Sequence, residues 1–138
     1  MTIEAWVYRS DELGCEAILG HNLSLSYWFG TCPRPRFYRS GPGFAQANTQ
    51  VYRNRWTHVA VSYDGTTARF YINGDAAGSG AVGFGGLLAN DLHIGGTATG
   101  NFLSGQLDEV RLWSEARSQQ QIRANMQREL GVADNEPD

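Results

Sequence analysis

The sequence predicts an all-β sandwich closed by one short C-terminal helix. Three observations carry that prediction. Short segments of alternating apolar and polar residues recur along the chain, with turn signals roughly every 8–12 residues. Glycine is frequent, 17 of 138 residues, about 12% against a usual value of about 7%, which suits many tight turns. A single stretch near the end changes its apolar period from that of a strand to that of a helix.

Thr2–Arg9 alternates, with Ile3, Ala5 and Val7 on one face and Glu4, Trp6 and Tyr8 on the other, so it reads as a strand. Cys15–Leu19 and Leu23–Phe29 read as two more, joined by the turn Gly20-His21-Asn22. In the latter, Leu23, Leu25, Tyr27 and Phe29 share a face, and Ser24, Ser26 and Trp28 share the other. A short strand, Arg36–Arg39, follows the breaks at Pro33 and Pro35, and Ser40–Ala47 reads as a loop. Arg55–Tyr63 is strand material with Val59, Val61 and Tyr63 on one side. Asp64-Gly65 turns the chain into Thr66–Ile72, and Asn73-Gly74 reverses it again into a shorter segment. Gly78–Gly86 is too rich in glycine for a regular interior strand. Leu92–Ile94 and Gly105–Trp113 are the last strands, making roughly nine, the pattern of a sandwich.

Ser118–Leu130 places Ile122, Met126 and Leu130 on a helical stripe. Ser118 with Gln121 forms a capping box, and Gly131 is positioned to end the helix. One domain, 1–131, is predicted, with a polar tail over 132–138.

Charge narrows the function. The net charge is −3, and all 11 basic residues are arginine. Between Ala17 and Tyr63 there is no Asp or Glu, while Arg34, Arg36, Arg39, Arg53 and Arg55 fall inside that window. No run of 18 or more apolar residues occurs, so no membrane insertion is expected. No RNA-binding signature accompanies the negative net charge, so nucleic acid is not an expected partner. Met1 is followed at once by a patterned strand, without a signal peptide, so the chain reads as cytosolic or as an excised piece of a longer protein. Cys15 and Cys32 are 17 residues apart, neither a zinc set nor a redox C-x-x-C. Two free thiols and a disulfide are both open; a disulfide would contribute about 3 kcal/mol through chain entropy.

Several segments together resemble one family. Thr2-Ile3-Glu4-Ala5-Trp6-Val7 is similar to the opening strand of laminin-G-like jelly rolls, part of the concanavalin A-like lectin/glucanase superfamily. Arg55-Trp56-Thr57-His58-Val59-Ala60-Val61-Ser62-Tyr63-Asp64-Gly65 resembles their central strand and turn. Arg69-Phe70-Tyr71-Ile72-Asn73-Gly74 is similar to the next hairpin, and Gly105 to Trp113 with the helix from Ser118 resembles the close of the domain. The resemblance implies a two-sheet antiparallel jelly roll in a secreted or cell-surface protein. It implies binding of carbohydrate, matrix components or partner proteins, with calcium as a candidate cofactor. It also supports pairing Cys15 with Cys32. The family carries an edge strand before the first motif and a strand after the helix, so this chain reads as a fragment or a minimal sandwich. Missing strands would leave backbone unpaired, so self-association or protein–protein contact through open sheet edges is an alternative expectation.

Glycosidases of that superfamily place paired carboxylates on one strand face, as in E-x-D-x-x-E. That motif is absent; Asp108 and Glu109 are adjacent and would point to opposite faces. G-x-S-x-G and H-E-x-x-H are absent too, so no catalytic residues are assigned. Asp108 shares parity with Val110 and Leu112, which read as core-facing. An inward carboxylate needs a partner: a metal such as calcium, an arginine or loop backbone donors. Glu4, Glu109, Arg69 and Arg111 read as cross-strand ion pairs. His58 and His93 read as packed, and His21 as a turn residue able to line a site.

The acid-free window holds the candidate ligand contacts, Trp28, Arg36, Tyr38, Arg53 and Arg55. Arginine forks take carboxylate, sulfate or phosphate in two parallel hydrogen bonds, and aromatic faces stack on sugar rings. A non-catalytic module for a neutral, carboxylated or sulfated glycan is therefore expected; a solvated arginine-rich sheet face is the alternative for the same residues.

Overall fold

The computed structural model describes residues 1–11, 14–20, 27–39, 43–83 and 91–130. Ten strands and one helix follow in order: β1 (Thr2–Arg9), β2 (Glu16–Gly20), β3 (Tyr27–Thr31), β4 (Pro35–Arg39), β5 (Phe44–Gln46), β6 (Trp56–Tyr63), β7 (Thr67–Ile72), β8 (Asp75–Ala81), β9 (His93–Ile94), β10 (Gly105–Trp113) and α1 (Gln119–Asn125). They form two five-stranded antiparallel sheets, ordered β10-β1-β6-β7-β8 and β5-β4-β3-β2-β9.

The apolar parity of each strand decides what lies between the sheets. Ile3, Ala5 and Val7 of β1, Val59, Val61 and Tyr63 of β6, and Ala68 and Phe70 of β7 face Ile18, Leu19, Phe29, Phe37 and Ala45 of the second sheet. Arg9 continues the inward row of β1 and is fully buried. It reaches Glu16 of β2 at 2.6 Å and donates to the Val51 carbonyl at 2.9 Å. A buried charge survives only when paired and hydrogen-bonded in this way.

The opposite face of the first sheet is closed by α1. Ser118 and Gln121 form the expected capping box, and Ile122 is buried against Ala60 and Tyr71. The helix is shorter than the predicted stripe, ending at Asn125 with Met126 as its C-cap. Its last carbonyls are taken from the sheet side: Trp6 Nε1 donates to Met126 O at 2.6 Å, Arg111 donates to Asn125 O at 2.7 Å, and Arg111 also donates to Arg128 O. Beneath lies a buried polar cluster. Glu4 accepts from Trp113 Nε1 at 2.8 Å and lies 3.3 Å from His58 Nε2 and 3.6 Å from Arg111. His58 is thus packed, as expected, and Arg111 pairs with both Glu4 and Glu109. Arg69 pairs instead with Asp64 in the preceding turn, at 2.6 Å.

The glycine-rich stretch begins inside β8, which runs to Ala81 as an edge strand with a shifted register and not as a regular interior strand, in line with the expectation. Two expectations need correction. Phe44–Gln46, read as loop, is a strand, because Phe44 and Gln46 flank an inward Ala45. Asp108 does not face the core. The β1–β10 register slips between Glu4↔Arg111 and Trp6↔Asp108, and Glu109 has φ 49°. One extra residue in β10 reverses parity between Leu107 and Val110, which both pack on the core, so Asp108 is turned outward opposite Trp6; Leu112, opposite Ile3, is half-exposed on this edge strand.

Among the described residues no helix is long and apolar enough to cross a membrane. His21, Leu23 to Ser26, Gly131 and the tail 132–138 lie outside the described residues.

Candidate functional site

The outer face of the second sheet carries the first candidate site. Phe29, Phe37 and Ala45 point inward, so Trp28, Tyr38 and Phe44 point outward. Register aligns them across three strands as Trp28↔Tyr38↔Phe44. The neighbouring row is Ala17↔Gly30↔Arg36↔Gln46. Gly30 has an ordinary φ and is required for space: a Cβ there would lie 2.6 Å from a Trp28 ring carbon and 2.2 Å from the Glu16 carbonyl oxygen. The indole lies across the room that glycine leaves and is only 5% exposed.

Beside this row, Cys15 and Cys32 form a disulfide. The bond fastens the segment before β2 to the end of β3. Together with Trp28, Arg36, Tyr38, Phe44 and Asn101 it lines a hollow of ≈ 170 Å³. Asn101, in the left-handed region at φ 55°, donates its side-chain N–H to Cys15 O at 3.0 Å, and its carbonyl accepts from Ala17 N at 2.7 Å. Arg36 lies over the Phe44 ring, 4.3 Å from its centroid, which holds the guanidinium in place by cation–π attraction. Arg36 forms no ion pair among the described residues, and no described carboxylate lines the hollow.

Three of the five expected contacts, Trp28, Arg36 and Tyr38, therefore meet in one place. Arg53 and Arg55 do not line the hollow. They are exposed on the connection between β5 and β6, which is tied to the β3–β4 turn by Val51 N–H to Pro33 O at 3.0 Å. Arg55 stacks on Tyr52 at 4.6 Å. Phe44 and Asn101 escaped the sequence reading. The alternation of Phe44-Ala45-Gln46 after Gly43 was the available sign for the first; nothing local marks the second.

Asp108 is not the inward carboxylate expected. It is exposed, and its Oδ1 accepts from Glu109 N at 2.8 Å. Among the described residues no three His, Cys, Asp or Glu side chains gather to hold a metal, whereas calcium takes about six to eight oxygens.

A family model for the concanavalin A-like lectin/glucanases superfamily matches residues 1–123. This chain belongs to that superfamily. The superfamily's jelly roll accounts for the two sheets and their order. Mouse pappalysin-1 is 30% identical over 87 residues, 59% of this chain; the chain spans 5% of that protein's length. Among solved structures, a Bacteroides ovatus protein assigned to carbohydrate binding superimposes with a TM-score of 0.76 and 25% identity, over 91% of this chain and 40% of that one. Domain 4 of AbnA, an extracellular arabinanase of Geobacillus stearothermophilus solved with arabinotriose, superimposes with a TM-score of 0.69 and 19% identity, over 89% of this chain and 64% of that one.

Proposed function

We propose that this domain is a non-catalytic carbohydrate-binding module whose ligand carries a carboxylate or sulfate. The observation that carries the reading is Arg36, an arginine without an ion-pair partner among the described residues, held over Phe44 at a hollow walled by Trp28 and Tyr38. A guanidinium fork binds an oxyanion through two hydrogen bonds, and Tyr38 and Phe44 offer ring surface to a sugar above the buried Trp28. Arg53 and Arg55, beyond the β3–β4 turn, extend the positive surface for a longer glycan. The likeness to the Bacteroides ovatus protein assigned to carbohydrate binding supports the ligand class. The disulfide, of a kind that persists in oxidising compartments, supports an extracellular setting within a longer protein.

The test is a glycan array spanning neutral, carboxylated and sulfated saccharides, followed by calorimetry on the binders. Acidic saccharides are expected to bind and to weaken as salt rises. Arg36→Ala is expected to weaken binding about tenfold or more, roughly the loss of one charge-assisted contact. Binding that survives Arg36→Ala with its salt dependence unchanged overturns the assignment.

A further inference from the structure

A second cleft lies on the opposite side of the sandwich, between the outer face of the first sheet and the turn after α1. Its volume is ≈ 460 Å³, and its walls include Trp6, Trp56, Asp108, Met126, Gln127 and Glu129. Trp6 and Trp56 come from adjacent interior strands, β1 and β6. Trp56 is 43% exposed. Its ring packs at a tilt on Tyr8, 5.8 Å between centroids, and Trp6 packs edge-on against His58 at 5.4 Å. The far wall is fixed in advance by the bonds from Trp6 and Arg111 to the carbonyls of Met126, Asn125 and Arg128.

The bulge in β10 opens into this cleft. By placing Glu109 in the left-handed region it turns Asp108 outward, opposite Trp6. A non-glycine residue held in that conformation costs about 1–3 kcal/mol, and such residues cluster at functional sites. Glu109 is committed to Arg111 at 2.8 Å, and Arg128, also in the wall, is engaged as well. Asp108 and Glu129 form no ion pair among the described residues. The cleft therefore presents tryptophan surface together with two carboxylates that form no ion pair among the described residues, Asp108 accepting from Glu109 N through Oδ1 alone.

We infer that this cleft is a second ligand site, taking an amine-bearing sugar. An ammonium group is attracted both by carboxylates and by an indole face, and the ring of a sugar supplies the surface that stacks. A peptide fits less well. The floor strands β1 and β6 have neighbours on both sides, and the wall carbonyls are occupied, so an extended segment finds no row of main-chain partners. The site differs from the Arg36 hollow in place and in sign of charge.

The experiment is calorimetry of the intact chain with a glucosamine tetramer whose amines are protonated, its N-acetylated counterpart, a galacturonate tetramer and an arginine-rich peptide. The glucosamine tetramer is expected to bind, with the N-acetylated form about tenfold weaker or more, whereas galacturonate, suited to the Arg36 hollow, is expected to lose its binding with Arg36→Ala and to keep it with Trp56→Ala. Trp56→Ala, and Asp108→Asn combined with Glu129→Gln, are each expected to weaken glucosamine binding about tenfold, while Arg36→Ala leaves it unchanged. Circular dichroism confirms that the variants fold. No binding of the glucosamine tetramer, equal binding of the N-acetylated form, or indifference to Trp56→Ala overturns the inference. Tighter, competitive binding of the peptide overturns it in favour of a protein partner.

Discussion

Gly30→Ala tests whether the aromatic row depends on one missing methyl group. Gly30 has an ordinary φ, so the substitution carries no backbone strain of its own. The cost is steric. The new Cβ would start 2.2 Å from the Glu16 carbonyl oxygen and 2.6 Å from a Trp28 ring carbon. Carbon and oxygen in contact rest at about 3.3 Å or more, so roughly 1 Å must be found. The indole has some freedom to tilt away. The Glu16 oxygen belongs to the backbone of β2, so β2 and β3 must part where Ala17 pairs with Gly30. Overpacking of this kind costs about 1–3 kcal/mol, offset by about 0.4–1 kcal/mol from the lower chain entropy of unfolded alanine. A net loss of about 1–2 kcal/mol in a domain of this size lowers Tm by roughly 3–7 °C. Thermal unfolding followed by circular dichroism measures it, and calorimetry with an acidic saccharide reads the hollow. Gly65→Ala is the control: its Cβ would meet nothing within 4 Å, but its φ is 107°, so it carries strain without collision and leaves the hollow untouched. A Gly30→Ala protein melting within about 2 °C of the parent, with ligand affinity intact, would refute the reasoning.

Two further outcomes are expected. Replacing Cys15 and Cys32 by serine removes a cross-link spanning 17 residues and lowers stability by about 3 kcal/mol; it also weakens acidic-saccharide binding, because the hollow loses a wall. Unchanged urea midpoints with and without reductant would contradict this. Burial pushes the Glu4 carboxyl up, but hydrogen bonds from His58 and Trp113, with the charges of His58 and Arg111, hold it below its ordinary 4.5. A folded value below the unfolded one means stability present above about pH 4.5 and lost as pH falls through the folded value. Parent and Glu4→Gln are therefore expected to differ most at neutral pH and to converge in acid, so parallel Tm–pH profiles would remove Glu4 from the account.

Much of this was legible because a buried sheet face writes its period into the sequence. β1 and β10 carry the expected bounds, and β6 differs by one residue. Trp28, Arg36 and Tyr38 could be placed together on outward parity alone. What escaped has physical causes. β5 has three residues beside Gly41-Pro42-Gly43, too few for a period to show. The glycines of β8 weaken its pattern, yet they give room: a Cβ at Gly80 would lie 3.1 Å from the side chain of Ala45. The parity break in β10 has no local signal, since Glu109 is not a residue that favours a positive φ. The second cleft was invisible for a related reason, because its walls come from strands and a turn far apart in the chain.

The inserted residue in β10 has a consequence beyond the aim of Asp108. β10 is the outermost strand of its sheet, and a left-handed residue midway along it interrupts the straight row of donors and acceptors that a foreign strand would copy. The other borders are comparably blunted among the described residues: β9 has two residues and β5 three, and β8 is kinked at Gly78, with φ 101°. Copies of this module crowded on a surface or strung along one polypeptide thus offer one another poor templates for cross-β growth. The same bulge that shapes a cleft acts as a guard against aggregation.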